Sequence, residues 1–112
     1  MKVIINNIIP FKGYVAMTIF PFIFARKSLS DKTLNHESIH GEQQKETLIV
    51  FFLLLYILEY FIKLIITFNH NKAYKSVSFE QEAYSFDKDK NYLSNRKHYN
   101  WIKYIFKLWH ER

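Results

Sequence analysis

An apolar run of 22 residues restricts the possible folds of this chain more than any other feature. The run TLIVFFLLLYILEYFIKLIITF (47–68) contains only two charged residues, Glu59 and Lys63. They lie four positions apart, the spacing at which an acid and a base pair on one face of a helix. A helix of this length and polarity either crosses a bilayer or lies in a core or an interface with its charges paired. The sequence leaves both interpretations open.

An HExxH motif immediately precedes this run, in the segment NHESIHGEQQKE (35–46). On a helix, His36 and His40 project from one face about one turn apart, so both rings can bind a single Zn²⁺ through nitrogen. Glu37 follows the first ligand, where its carboxylate can reach a metal-activated water without binding the metal itself. This set predicts metal-assisted hydrolysis with Glu37 as the general base. The alternative is a solvated helix face with two surface histidines.

The first 28 residues are predicted to form a small β-hairpin. Residues 2–9 and 14–26 are rich in Val, Ile and Phe, and PFKG (10–13) supplies the Pro and Gly expected where the chain reverses. Pro21 lies inside the second strand and restricts part of it to an edge or a bulge. An open strand edge near the metal is where an extended peptide substrate would add by main-chain pairing.

The rest of the chain is predicted to be helical around one polar connection. The segment NHNKAYKSVS (69–78) breaks the apolar pattern and predicts a loop or an extended return. We therefore expect one mainly α domain (α+β) over residues 1–112. Its predicted parts are the hairpin (1–28), the HExxH helix with the long apolar segment (31–68), a third-ligand helix (78–90) and a basic amphipathic C-terminal helix (91–112).

A catalytic zinc site needs a third protein ligand and one open position for water. The chain contains no Cys, so this ligand must be a His or a carboxylate. The segment SFEQEAYSFD (78–87) offers two glutamates. With the HExxH motif it resembles the gluzincin metallopeptidases, particularly the membrane-associated branch that includes the CAAX-prenyl-protease-like enzymes, which pair an HExxH helix with a later E-x-x-A-D helix. The order HExxH, apolar segment, FEQEAY is also similar to that of small uncharacterised bacterial proteins.

The resemblance implies a role for each residue of the second motif. Glu80 takes the place of the third ligand, and Ala83 that of a small residue that allows close helix packing. Tyr84 replaces the Asp that in those enzymes orients a ligand His, so its hydroxyl is expected to accept from a His N–H or to donate to an oxyanion. Glu82 is the competing ligand, although it points to another face of the helix.

The third-ligand assignment limits how the chain can return to the site. A continuous helix advances about 1.5 Å per residue and an extended chain returns at most about 3.4 Å per residue, so a helix from His40 must end by about residue 68 for Glu80 to reach the same zinc. Either the apolar segment bends earlier, near Glu59, or residues 69–79 return almost straight. A simple span with Glu80 on the opposite side of the membrane is excluded if Glu80 is a ligand.

Three further side chains are weaker candidates for the site. Gln43, with its neighbour Gln44, follows the second ligand by about one turn and can bind substrate or a ligand carbonyl, although surface solvation is the simpler interpretation. His98, between Lys97 and Tyr99, is a candidate oxyanion helper.

The charge pattern of the chain indicates which molecules it is expected to contact. The formal net charge is +6, and the basic residues of WIKYIFKLW (101–109) alternate with bulky apolar ones. This pattern favours a phospholipid surface over nucleic acid, for which no binding motif is present. The N-terminus, with one Lys and no small-residue cleavage site, does not predict a signal peptide. The sequence therefore predicts a membrane-associated zinc metallopeptidase acting on peptides or proteins, the alternative being a non-catalytic zinc-binding or structural membrane protein.

Overall fold

The computed structural model describes residues 1–10 and 14–110. It has the predicted fold class, a mainly helical domain with a small sheet at its N-terminus. The elements follow in the order β1 (Lys2–Ile5), β2 (Ala16–Ile19), β3 (Phe22–Ala25), α1 (Asp31–Thr67), α2 (His70–Ser76), α3 (Ser78–Phe86), α4 (Tyr92–Asn95) and the 3-10 helix η1 (Asn100–Tyr104).

The sheet contains a hairpin, but not where it was predicted. β2 and β3 pair antiparallel across a turn at residues 20–21, while β1 pairs parallel with β3, which gives the order β1-β3-β2. The predicted antiparallel pairing of residues 2–9 with 14–26 is therefore wrong. Pro21 has no N–H to continue a ladder, and it divides the predicted second strand in two. Most of the predicted reversal at 10–13 lies outside the described residues.

Helix α1 covers the predicted range 31–68 almost completely, but it consists of two halves. Its N-terminus is capped by the Ser30 hydroxyl, which accepts from the Thr33 N–H at 3.2 Å. Leu48 interrupts the helix with φ 57° and ψ 149°, a backbone conformation that is normally adopted by glycine. The first half (31–47) carries the HExxH motif, and the second half (49–67) carries the apolar run.

The chain returns to the site through an early bend, as in one of the two predicted routes, but the bend falls at another residue. It bends at Leu48 rather than near Glu59, and residues 69–78, predicted as a loop or an extended return, contain helix α2. Asn69 starts this helix, because its side chain accepts from the Lys72 N–H at 2.9 Å. The bend shortens the distance from α1 to α3, so the connection does not have to be extended.

The predicted C-terminal helix over 91–112 is wrong. The described part of this region contains only the short α4 and the 3-10 helix η1, and Tyr99 between them has a left-handed backbone with φ 62° that ends regular helix geometry. Trp101 of η1 is buried and its ring lies 4.6 Å from that of Phe79, in a core with Phe52 and Val77. The aromatic residues of this segment thus pack inward at Trp101 and Tyr104, while Phe106 is fully exposed.

The second half of α1 has an exposed apolar surface. Among the described residues, this helix is long and apolar enough to cross a membrane, a test that the core helix of a soluble protein also passes. Only 11% of its most apolar 18-residue window is buried, however. Most of its exposed side chains form what we call the outer face: Val50, Phe51, Leu54, Ile57, Leu58, Phe61, Ile62, Ile65 and Ile66.

Candidate metal centre

The three residues of the HExxH motif are buried on the first half of α1. His36 and His40 lie one turn apart with ring centroids at 4.9 Å, and Glu37 lies between the histidines in sequence. Each of the three offers a donor atom within 4.8 Å of the others, the arrangement of a metal-binding group. Asn35 ties this part of α1 to the end of α3, because its amide donates to the carbonyl oxygens of Phe86 and Asp87.

One carboxylate oxygen of α3 lies between the two histidine rings. Glu80 Oε1 is 3.0 Å from His36 Nε2 and 2.9 Å from His40 Nε2. Around a tetrahedral zinc with bonds of about 2.1 Å, neighbouring ligand atoms are roughly 3.4 Å apart, so Glu80 Oε1 needs to move away from each nitrogen by only a few tenths of an ångström to hold the ion with them. Because Glu80 is this close to both rings, it is a better third ligand than Glu37, and the donor set fits zinc.

The second nitrogen of each histidine is held by a buried acceptor. His36 Nδ1 is 3.0 Å from Asp87 Oδ2, and His40 Nδ1 is 2.8 Å from Gln43 Oε1. With both Nδ1 atoms acting as donors, both Nε2 atoms face Glu80, and after loss of their protons they would present lone pairs to a metal ion. Partners of this kind fix the tautomer and the orientation of metal-binding histidines.

The structure gives the orienting role to Asp87 instead of Tyr84. The Tyr84 hydroxyl lies 3.5 Å from that of Tyr74, while its ring packs against the His36 ring with centroids 4.5 Å apart. The expectation that this hydroxyl accepts from a His N–H is therefore wrong. Asp87 follows Glu80 by seven residues, two helical turns, and this spacing is the sequence signal that could have identified it.

The second half of α1 fixes the position of Glu80. The Tyr56 hydroxyl donates to Glu80 Oε2 at 2.5 Å, which leaves Oε1 to face the histidines. The Glu59 carboxylate accepts from the N–H of Ser78 at 2.9 Å and from its hydroxyl at 2.5 Å. Val77, at the N-cap of α3, has no polar side chain, so Glu59 supplies the cap from another helix. Neither role was predicted, because both depend on the bend at Leu48.

Glu37 is positioned beside the histidines by the sheet. The Thr18 hydroxyl of β2 lies 2.9 Å from Glu37 Oε1 and 3.0 Å from the Glu37 carbonyl oxygen. Glu37 therefore has a fixed, buried carboxylate next to the candidate zinc ligands, as a general base requires. Thr18 was not predicted as part of the site, because its role depends on how the sheet packs on α1.

The charged forms of His36, His40 and Glu80 attract one another and shift the pKa of each group. Burial lowers the pKa of His36, but hydrogen bonds to Asp87 and Glu80 outweigh burial and raise it to about 10. Burial likewise lowers the pKa of His40, and the charge of Glu80 more than offsets this and raises it. Burial raises the pKa of Glu80, yet His40 and His36 hold it well below its usual range. Without metal, protons on the two histidines balance the buried carboxylates, and a bound cation would replace them.

Two clefts meet at Glu37 along the free edge of the sheet. The first, of about 360 Å³, is mostly apolar and reaches His40, Phe52 and Tyr56, while the second, of about 340 Å³, is more polar and reaches His36 and Asp87. Four residues line both clefts, namely Tyr14, Ala16, Glu37 and Tyr74.

The edge strand β2 presents main-chain groups toward these clefts. The Val15 carbonyl accepts from Arg26, on the side of β3, whereas the Thr18 carbonyl accepts from the Gln44 side chain. Because main-chain groups alternate between the two sides of a strand, those of Ala16 lie on the same side as those of Thr18, away from β3. Ala16 is therefore the residue at which an extended peptide can pair with β2.

Both glutamines after the motif are buried, so the solvated interpretation is wrong. Gln43 binds His40 and also donates to the Phe79 carbonyl at 3.0 Å and to Glu82 at 2.9 Å. Gln44 accepts from the Phe20 N–H at 2.6 Å, in addition to its bond with Thr18. Gln43 thus connects α1 to α3, and Gln44 connects α1 to β2.

The remaining candidates lie apart from the two histidines. Glu82 is fully buried and accepts from the Arg96 guanidinium and the Tyr92 hydroxyl, each at 2.5 Å. His98 is exposed and lies 3.1 Å from Glu46, which also pairs with Arg96. The structure thus brings Glu80 to the histidines, and it places Glu82 and His98 in a separate ionic cluster around Arg96.

Comparisons of the chain with protein-family models, with curated proteins and with solved structures give no match.

Proposed function

We propose that this chain is a zinc-dependent peptidase that works at a membrane surface. The observation that carries the proposal is the convergence of His36 Nε2, His40 Nε2 and Glu80 Oε1, with the Glu37 carboxylate beside them. His36, His40 and Glu80 would hold the ion, and Asp87 and Gln43 would keep the histidines oriented. A zinc ion in such a site lowers the pKa of a bound water and polarises the scissile carbonyl.

Glu37 would act as the general base. Its carboxylate takes a proton from the attacking water and passes it to the nitrogen of the leaving amine, so it ends the cycle ionised as it began. The Thr18 hydroxyl keeps Oε1 of this carboxylate in place, and the other oxygen remains available for the water. Tyr74 lines both clefts together with Glu37, and its hydroxyl would donate to the oxygen on which negative charge develops.

Substrate would bind as an extended peptide along β2. The N–H and carbonyl of Ala16 offer the main-chain pairing, and the two clefts accept side chains on either side of the scissile bond. The first cleft is lined by Phe52, Leu53 and Tyr56, which favours an apolar side chain there.

Membrane association is supported by the outer face of α1. A contiguous apolar patch of this kind exceeds what monomeric soluble proteins usually expose, and it marks contact with a partner or a bilayer. The +6 formal charge favours an anionic lipid surface.

The test is hydrolysis of a peptide library by the full-length protein in lipid vesicles. We expect cleavage that a chelator abolishes and zinc restores, and that is lost in Glu37→Gln although this variant keeps its zinc. Cleavage that persists in Glu37→Gln would refute the proposed mechanism. Stoichiometric zinc without any cleavage would favour the alternative, a non-catalytic zinc-binding membrane protein.

A further inference from the structure

The second half of α1 has the reverse of the usual polarity pattern. Its inward stripe, spaced for one helix face, consists of Phe52, Tyr56, Glu59 and Lys63 and includes both charged residues of the segment. Glu59 and Lys63 pair at 3.2 Å, and their side chains are only 12% and 6% exposed. The outer face, in contrast, consists of apolar side chains alone. Charges turned inward and apolar groups turned outward suit a helix whose outer side touches lipid.

The inward stripe is covered by other elements along its whole length. Phe52 packs on Phe79 at 4.5 Å between ring centroids, and Tyr56 and Glu59 bind α3 as described above. Near the end of the helix, the Lys63 ammonium donates to the carbonyl oxygens of Ser76 and Tyr104. Lipid can therefore reach this helix from one side only.

The elements that cover the stripe carry exposed charges. Lys72 of α2 is exposed, and Lys103 and Lys107 are exposed next to Tyr104, whose carbonyl binds Lys63. If the helix crossed the bilayer, these ammonium groups would lie beside it within or close to the hydrocarbon, where charged side chains are costly. If the helix lies along the surface, the same groups stay in water or among anionic headgroups.

We propose that the outer face of α1 lies in the plane of an anionic bilayer surface, so that the chain is attached to one leaflet without crossing the membrane. The second half of α1, about 28 Å long at 1.5 Å per residue, lies parallel to the surface with its apolar side among the acyl chains. The formal net charge of +6 on the chain complements the negative charge of the headgroups. This inference specifies the membrane attachment in the proposed function and does not depend on the hydrolytic chemistry.

The absence of Cys from the chain permits a direct topology test. Single variants Lys45→Cys and Asn71→Cys place one thiol at an exposed position on each side of the apolar segment. The full-length proteins are expressed, sealed membrane vesicles are prepared, and a membrane-impermeant maleimide is added before or after the vesicles are opened. We expect both thiols to respond identically. Labelling of one thiol in sealed vesicles, and of the other only after opening, would show a span and overturn the proposal.

Lipid contact itself is tested with vesicles of mixed phosphatidylcholine and phosphatidylglycerol. The double variant Leu54→Gln, Leu58→Gln removes two large groups from the outer face and keeps helix propensity nearly unchanged. We expect it to reduce vesicle binding at least about tenfold, while the matched control Leu34→Gln, an exposed leucine on the first half of α1, binds like wild type. Equal binding by the double variant, or a wild-type dimer in solution that this variant dissociates while vesicle binding is unchanged, would show that lipid does not cover the face.

Discussion

Replacing Asp87 by Asn tests whether this carboxylate orients a zinc ligand. Asp87 Oδ2 lies 3.0 Å from His36 Nδ1, and its side chain is 2% exposed, so solvent does not weaken the interaction. Loss of such a partner typically lowers metal affinity 10- to 100-fold, which corresponds to about 1.4 to 2.7 kcal/mol. Asp89→Asn, at an exposed position, makes the same charge change without touching a histidine and is the matched control.

The loss of zinc affinity in Asp87→Asn is expected to depend on pH. In the wild type, zinc must displace a proton from His36, whose pKa is raised to about 10, and this competition weakens apparent zinc binding more at pH 7 than at pH 9. Asp87→Asn removes a cause of the raised pKa, so the variant has less competition to overcome at pH 7. The full loss of affinity is therefore expected near pH 9, and a smaller loss near pH 7.

The assay is a zinc titration against a competing chelator at both pH values. We expect the ratio of the Asp87→Asn dissociation constant to that of the wild type to increase from pH 7 to pH 9, and Asp89→Asn to follow the wild type. A variant that binds zinc as tightly as the wild type at pH 9 would refute the orienting role. A ratio that falls as the pH rises would refute the protonation argument.

Three further predictions concern the base, the substrate edge and the docking of α3. Glu37→Gln should keep its zinc and lose at least about a hundredfold in kcat, whereas Glu80→Gln should lose both zinc and activity. Metal content and peptide hydrolysis measure the two effects. Zinc loss in Glu37→Gln would contradict the assignment of Glu37 as the base and Glu80 as the ligand. Ala16→Pro removes one edge N–H and should lower kcat/KM about tenfold with zinc retained, while Ala16→Val should not, and equal rates for the two would exclude pairing at this edge. Glu59→Gln removes the anionic partner of the buried Lys63 and should lower the free energy of unfolding in urea by about 3 kcal/mol, against under about 1 kcal/mol for Glu42→Gln, whose ion pair with Lys45 is partly exposed. Similar losses would show that Glu59 does not anchor α3.

The part of the site that the sequence predicted is the part encoded by local spacing. His36, Glu37 and His40 lie within one turn and a third of a single helix, so their grouping follows from helix geometry. Glu80 came from a second motif, and the limit on the length of the return left two routes open, an early bend or an almost straight return. The sequence contained no sign that the bend falls at Leu48, because a leucine with positive φ is held by the surrounding tertiary packing and not by its own preference.

The residues that support the site could not be predicted for the same reason. Tyr56 and Glu59 belong to an apolar run that by itself suggests a span, and they contact α3 only because α1 is divided at Leu48. Asp87 lies outside the E-x-x-A-D pattern, which places Tyr84 in the orienting position. The apolar periodicity of the C-terminal segment predicts one helix, whereas Tyr99 ends regular helix geometry there and Trp101 packs into the core.

The central claim, a single zinc held by His36, His40 and Glu80, is tested most directly by the metal content of the purified full-length protein. Elemental analysis after mild dialysis should give close to one zinc per chain for the wild type and none for the double variant His36→Ala, His40→Ala. Absence of zinc from the wild type under zinc-replete expression, or equal zinc in the double variant, would contradict the account.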